Sequence, residues 1–451
     1  MREQLQQIPD LIPVEPTSRI GRMFDSLRLP TFRLFWGAMM TQQGAMNMQM
    51  VARAWLIYEL TNAYTMLGVM ALANALPMLF LSLFGGVLAD RVQKKGVLVK
   101  GQAASALVAA AIAAAIIADV ISLDKGTGAG FLIGASIVQG IVMGLMMPSR
   151  QAIIPEIVGV SRLTNAIALN AAGMNINRLL APGLSGLLIA LLGIQTVYIA
   201  MTILYVIGVL MVLRLPPTGT IALGRPNALA DLREGLDYIR NNSIIMALLI
   251  LTLLGVVLSM PYMHLMPAFA KDVQVIQPGS YQWIPSIPII GGLLKSVPDL
   301  LMESSFRLGA LLSVSGVGAL IGSLWIAAMR DKNRGSLYIW SIVFLGISLS
   351  LFAFTSSFAF AFLLMIGVGL GQSVRMALSM TLVQAYVDDE HRGRVMSIYM
   401  MEFGLSSFTT FAVASLANFI GVQWALGICA VLLIPLGLLY LAFNRNLRRL
   451  Q

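Results

Sequence analysis

Charged residues are scarce in this chain. Asp, Glu, Lys and Arg make up 11% of its 451 residues, against 58% hydrophobic ones. A water-soluble domain carries about 25% charged residues, so the composition points to a protein solvated by lipid. One cysteine, Cys429, excludes internal disulfides and thiolate metal clusters, and two histidines, His264 and His391, exclude a multi-histidine metal centre. No Gly-rich loop ending in Lys-Ser or Lys-Thr is present, which argues against nucleotide-driven chemistry. No nucleophile–base constellation stands out. The chain is therefore expected to be neither an enzyme nor a metal or cofactor protein. The first 32 residues lack the apolar core of a signal peptide and read as a cytosolic tail.

What is abundant is long apolar sequence. A helix needs about 20 mostly apolar residues to cross a bilayer. Twelve such stretches can be read, at about 33–60, 65–89, 97–119, 129–149, 164–192 and 194–213, then 243–268, 307–329, 337–355, 358–384, 395–419 and 422–443. This gives an all-α polytopic membrane protein: a six-helix half over 33–213, a linker over 214–242, a second half over 243–443, and a tail over 444–451. The linker carries an amphipathic stretch with Leu229, Leu232, Leu236 and Ile239 on one face. If the N-terminus is placed inside, most of the 30 Lys and Arg fall on the cytoplasmic side, so both termini are expected to be cytoplasmic. The net charge of +10 is then topological and does not imply nucleic acid.

The halves repeat. SRQAIIPEIVGVSR (149–162) and SMTLVQAYVDDEHR (379–392) run from Ser to Arg at the same spacing after the fourth span of each half. Repeated halves place a binding site at their interface and alternate access by rocking. Charges inside spans mark candidates for that site, because an arginine at a helix centre costs about 2.5–3.5 kcal/mol. Arg53 shares one helical face with Gln42, Met46 and Gln49, flanked by Gln43 and Asn47. That face either lines a cavity or joins helices by hydrogen bonds. Arg178 precedes Pro182, Gly183 and Gly186, which thin the fifth span for packing or gating. Gln372 and Arg375 follow a glycine-rich run and suit a substrate contact. Glu402, two turns into span eleven, reads either as a proton carrier or as an ion-pair partner of Arg375. Residues 271–306 form a long external insertion, read as an interfacial or re-entrant element.

These motifs resemble the major facilitator superfamily. GGVLADRVQKK is similar to its charged loop between spans two and three, matched by Gly86, Leu88, Asp90, Arg91, Lys94 and Lys95, with Gln93 in place of a glycine. APGLSG (181–186) resembles the antiporter motif of span five through Pro182 and Gly186. SIVQG (136–140) resembles the span-four motif, with Ser136 where the family has an arginine tied to proton transfer. FRLFWGAMMTQQGAMNMQMVARAWLIYELT and DDEHRGRVMSIYMM are similar to the transmembrane secretion effector branch, which includes siderophore exporters and macrolide-efflux proteins.

The resemblance implies twelve helices in two pseudo-symmetric halves and a monomeric secondary transporter in a bacterial inner membrane. Its partners would be a small amphipathic or siderophore-like molecule, protons and membrane lipids. It also implies a latch in which Asp90 meets the start of span eleven near Val395, with Arg150 as second partner. Two other functions remain open at this stage: a lipid or lysophospholipid flippase, and a non-transporting receptor or assembly factor that uses the insertion.

Overall fold

The computed structural model describes residues 25–91, 93–216, 228–274, 276, 297–329, 333–388, 390–448 and 450; for 82–91 the description covers the backbone. In the first half lie α1 (Pro30–Thr61), α2 (Tyr64–Arg91), α3 (Lys94–Ile117), α4 (Ala129–Ala152), α5 (Ile154–Leu192) and α6 (Ile194–Leu213). The linker helix α7 (Ala228–Asn241) follows. The first span of the second half is interrupted: α8 (Ser243–Ser259) gives way to α9 (Pro261–Ala268) at Pro261, which has no N–H to continue the ladder. After the short α10 (Val297–Met302) come α11 (Ser304–Ala328), α12 (Arg334–Phe354), α13 (Phe358–Tyr386), α14 (Arg392–Ile420) and α15 (Val422–Phe443).

Among the described residues, 11 helical segments are long and apolar enough to cross a membrane. The twelfth span is α1. It has 32 residues, but Gln42, Gln43, Asn47, Gln49 and Arg53 lower its hydropathy. It is sheltered by α5 and α6, which pack along it.

The duplication is visible in the packing. The halves meet most extensively at two crossings, α2 on α14 and α5 on α11. The second helix of each half therefore meets the fifth helix of the other, as a two-fold relation requires. The turns agree as well. Gly193 joins α5 to α6 at φ 84°, and Gly421 joins α14 to α15 at φ 83°. Both sit in the left-handed region that glycine enters without steric cost, inside the matching sequences LGIQ (192–195) and IGVQ (420–423).

Three sequence expectations shift. The eighth span starts at Ser304, not 307, so Arg307 lies inside its first turn rather than at its edge. The fifth span continues from a surface segment, with the break at Gly159 (φ 68°, ψ 172°). On α7, Ile239 is buried but Leu236 is exposed. This helix docks instead through Gly235, whose missing side chain admits Arg394 and Ile398, and through Tyr238 stacked on His391 at 4.3 Å. Most of the insertion, 277–296, lies outside the described residues. Its roots are described: the Arg307 guanidinium donates to the Ala270 carbonyl through Nε (3.0 Å) and Nη2 (2.8 Å), and to Leu301 and Met302 carbonyls through Nη1.

Candidate functional site

The site is bounded at one end by a seal between the halves, away from the linker. The end of α1, the start of α2, the π turn Phe269–Val273 beyond α9 and the start of α11 converge there. Lys271 Nζ contacts Glu59 Oε2 at 2.6 Å and Asn62 Oδ1 at 2.8 Å. Asp272 accepts hydrogen bonds from Tyr58 and from Tyr64, the latter at 2.9 Å. Trp55 Nε1 donates to Ser304 Oγ at 3.1 Å, and Ser304 Oγ to Glu59 at 3.3 Å. Asn418 at the end of α14 bonds Thr65 at the start of α2. Glu59 is thereby held in an ion pair across the halves, a long-range pairing that local sequence pattern does not carry.

The seal gives a direct prediction. Lys271→Met removes a partly exposed ion pair and its neighbouring bond, worth about 1 kcal/mol, so the open form at this end should gain roughly fivefold in population. Maleimide labelling of Ser304→Cys measures it, because the one native cysteine, Cys429, is buried. Labelling that does not accelerate in the Lys271→Met background would show that the pair does not hold this end.

Below the seal, glycines bring the halves into backbone contact. A Cβ on Gly186 would lie 2.4 Å from the Ser305 carbonyl oxygen, and one on Gly309 would lie 2.6 Å from that of Pro182. Gly183 and Gly316 serve the same α5–α11 crossing, facing Ser313 and Leu179. The span-five motif thus sits where the halves touch. Small residues in both helices are what permits this approach.

The polar interior of the second half gathers around Arg375 on α13. Arg375 is fully buried, and its Nε and Nη2 have no hydrogen-bond partner. Gly255 of α8 leaves room beside its guanidinium: a Cβ there would meet Cδ and Nη1 at 3.5 Å. Tyr338 of α12, Tyr399 of α14, Tyr262 of α9 and Glu402 of α14 all interact with it electrostatically. The tyrosine hydroxyls are held in place, Tyr338 by Thr252 (2.9 Å) and Tyr399 by Ser379 (2.8 Å). Among the described residues Glu402 is the one buried acid, 4% exposed, and its Oε2 is unbonded. Arg178, half-buried on α5 of the opposite half, acts on Tyr262 together with Arg375. Gln372, one turn before Arg375, accepts from Ser259 Oγ at 3.4 Å, at the break between α8 and α9.

The α1 face behaves differently. Gln42 is fully buried, accepts from Gln102 Nε2 of α3 at 3.3 Å and donates to Met146 Sδ of α4. Asn47 donates to the Gln43 carbonyl of its own helix. Gln49 and Arg53 are buried, Arg53 against α6. These contacts lie within the first half, and the structure does not bring this stripe together with Arg178 and Arg375. In the charged hairpin, α2 runs to Arg91 and α3 starts at Lys94, so Gly86, Asp90 and Arg91 lie on helical backbone. The Asp90 latch rests on a side chain outside the described residues. Lys94 pairs with Glu156, Lys95 donates to the Leu213 and Leu215 carbonyls at the end of α6, and Arg150 Nη1 donates to Gln43 Oε1 at 3.3 Å. All three cations are engaged inside the first half.

The tyrosines were not anticipated. Their signal was available: a hydroxyl inside an apolar span needs a partner, which marks Tyr262, Tyr338 and Tyr399 among residues that count as hydrophobic by composition.

Two six-helix halves around a polar interior, closed at one end, define a membrane transporter. Residues 22–284 match the transmembrane secretion effector family and 289–449 match the Major Facilitator Superfamily. The first match covers more than half of the chain, which therefore belongs to the transmembrane secretion effector family of that superfamily. It is 22% identical over 395 residues to the staphyloferrin A transporter of Staphylococcus aureus, covering 87% of this chain and 91% of that protein. It is 26% identical over 293 residues to the multidrug efflux pump Tap of Mycolicibacterium fortuitum, covering 62% and 69%. In fold it matches the nucleoside transporter NupG with a TM-score of 0.65 at 14% identity, covering 92% of this chain and 99% of that one. A POT family transporter in complex with a thioalcohol-conjugated peptide gives a TM-score of 0.65 at 13% identity, covering 93% and 96%.

Proposed function

We propose that the protein is a secondary active exporter of a small siderophore-like or amphipathic molecule, driven by proton entry and working by alternating access. It sits in the inner membrane of a bacterium with both termini in the cytoplasm. The observation that carries this reading is that Arg178, from one half, and Arg375, from the other, both act electrostatically on Tyr262, while Glu402, whose Oε2 has no hydrogen-bond partner, acts on Arg375. Two cations on opposite halves suit a substrate that carries a carboxylate or similar anionic group, held by charge-assisted bonds to both halves at once. Relatives that carry a siderophore or act as a multidrug pump support the substrate class and the efflux direction.

Glu402 supplies the coupling. Export driven by proton entry needs the two ligands to occupy the site in turn. With Glu402 ionised, Arg178 and Arg375 hold the substrate anion; once the anion has left on the outer side, Glu402 takes up a proton there, carries it inward and releases it to the cytoplasm before the next anion binds. Everted vesicles test this. Accumulation of a candidate siderophore should collapse on adding an uncoupler, and Glu402→Gln should stop uphill accumulation while leaving downhill exchange. Accumulation that persists without a proton gradient would end the coupling proposal.

A further inference from the structure

A second buried guanidinium lies away from the site just described. Arg53 sits on α1, eight residues from the helix end at Thr61, or about 12 Å of helix. It is 8% exposed, and its Nε and Nη2 have no hydrogen-bond partner. Across from it, α6 presents Tyr198 and Tyr205, two turns apart on the face that packs against α1 and α3. Both tyrosines are fully buried and both hydroxyls are unpartnered. Among the described residues, the titratable groups within electrostatic reach of Arg53 are these two tyrosines, with no carboxylate.

This combination is one-sided. Two guanidinium nitrogens and two phenolic hydroxyls can all donate, and one full positive charge is left uncompensated in a span. A lone cation at that depth is costly. Polar groups taken out of water need partners. The missing partner must accept several hydrogen bonds and carry one negative charge. A water molecule meets the first requirement and not the second. A carboxylate-bearing substrate is poorly suited, because the tyrosines and Arg53 are enclosed between helices of one half.

We propose that Arg53, Tyr198 and Tyr205 form a binding site for a small monovalent anion of chloride size, buried between α1 and α6. The anion neutralises Arg53 and ties α1 to α6, so it stabilises the first half whatever the transported substrate is. The site is independent of Arg178, Arg375 and Glu402.

Thermal unfolding of the purified full-length protein in detergent tests it. At constant ionic strength, replacing sodium gluconate with sodium chloride should raise the Tm along a saturating curve, as expected for a ligand that binds the folded state. Sodium bromide should do the same, and a crystal grown in bromide should give an anomalous peak beside Arg53. Arg53→Gln and the double variant Tyr198→Phe/Tyr205→Phe should lose the chloride dependence. The double variant keeps both rings and decides the matter if Arg53→Gln does not fold. Equal Tm values in chloride and gluconate would overturn the proposal, as would an undiminished chloride response in the double variant.

Discussion

Arg375→Gln is expected to lose substrate and gain stability. Hydrogen bonds to a charged group are worth about 1.5–3 kcal/mol, so binding of an anionic substrate should weaken by roughly 10- to 150-fold. The folded protein should move the other way. Arg375 is buried completely with Nε and Nη2 unbonded, and a buried charge without close partners costs several kcal/mol that a neutral amide avoids. The empty transporter should therefore melt higher in the variant, and ligand should no longer raise the Tm. Opposite signs for affinity and stability distinguish a substrate contact from a structural cation. A lower Tm with unchanged transport would assign Arg375 to packing with its tyrosines.

Gly186→Val should trap the transporter away from the conformation described above. Its new Cβ would lie 2.4 Å from the Ser305 carbonyl oxygen and 3.0 Å from Gly309 Cα, both backbone atoms that cannot rotate aside. Overpacking of this kind costs about 1–3 kcal/mol, and it falls on the α5–α11 crossing, while packing inside each half is untouched. The population sealed at the Lys271–Glu59 end should fall by roughly 5- to 150-fold. Labelling of Ser304→Cys should speed up accordingly, while the Tm changes little. Slow labelling with a large drop in Tm would mean that the glycine serves folding alone.

The architecture was legible because each span announces itself by length and apolarity. Even the insertion of α1 could be inferred, since its glutamines and Arg53 break the pattern on one face only. Breaks set by a single residue were harder. Gly159 interrupts α5 by a positive φ, and nothing in VGVSR distinguishes it from a helical glycine. The LGIQ and IGVQ turns were readable as a repeat and were missed because four-residue matches are weak until φ values agree. Within the site, charges in spans pointed to Arg178, Arg375 and Glu402. The tyrosines that organise them were hidden among apolar residues. The seal could not be read at all: Lys271 finds Glu59, and Asp272 finds Tyr58 and Tyr64, only through contacts more than 200 residues apart in sequence.

Arg307 has a practical consequence. One guanidinium holds the carbonyl where the chain departs, at Ala270, and those where it returns, at Leu301 and Met302. The two stems of the insertion are thus a fixed pair of anchor points, and a doubling of the chain length between them costs only about 0.6 kcal/mol in closure entropy. A rigid fiducial domain grafted between 277 and 296 would be presented from a single hub on the sealed face. That offers a handle for imaging a small transporter whose mass is otherwise hidden in the membrane.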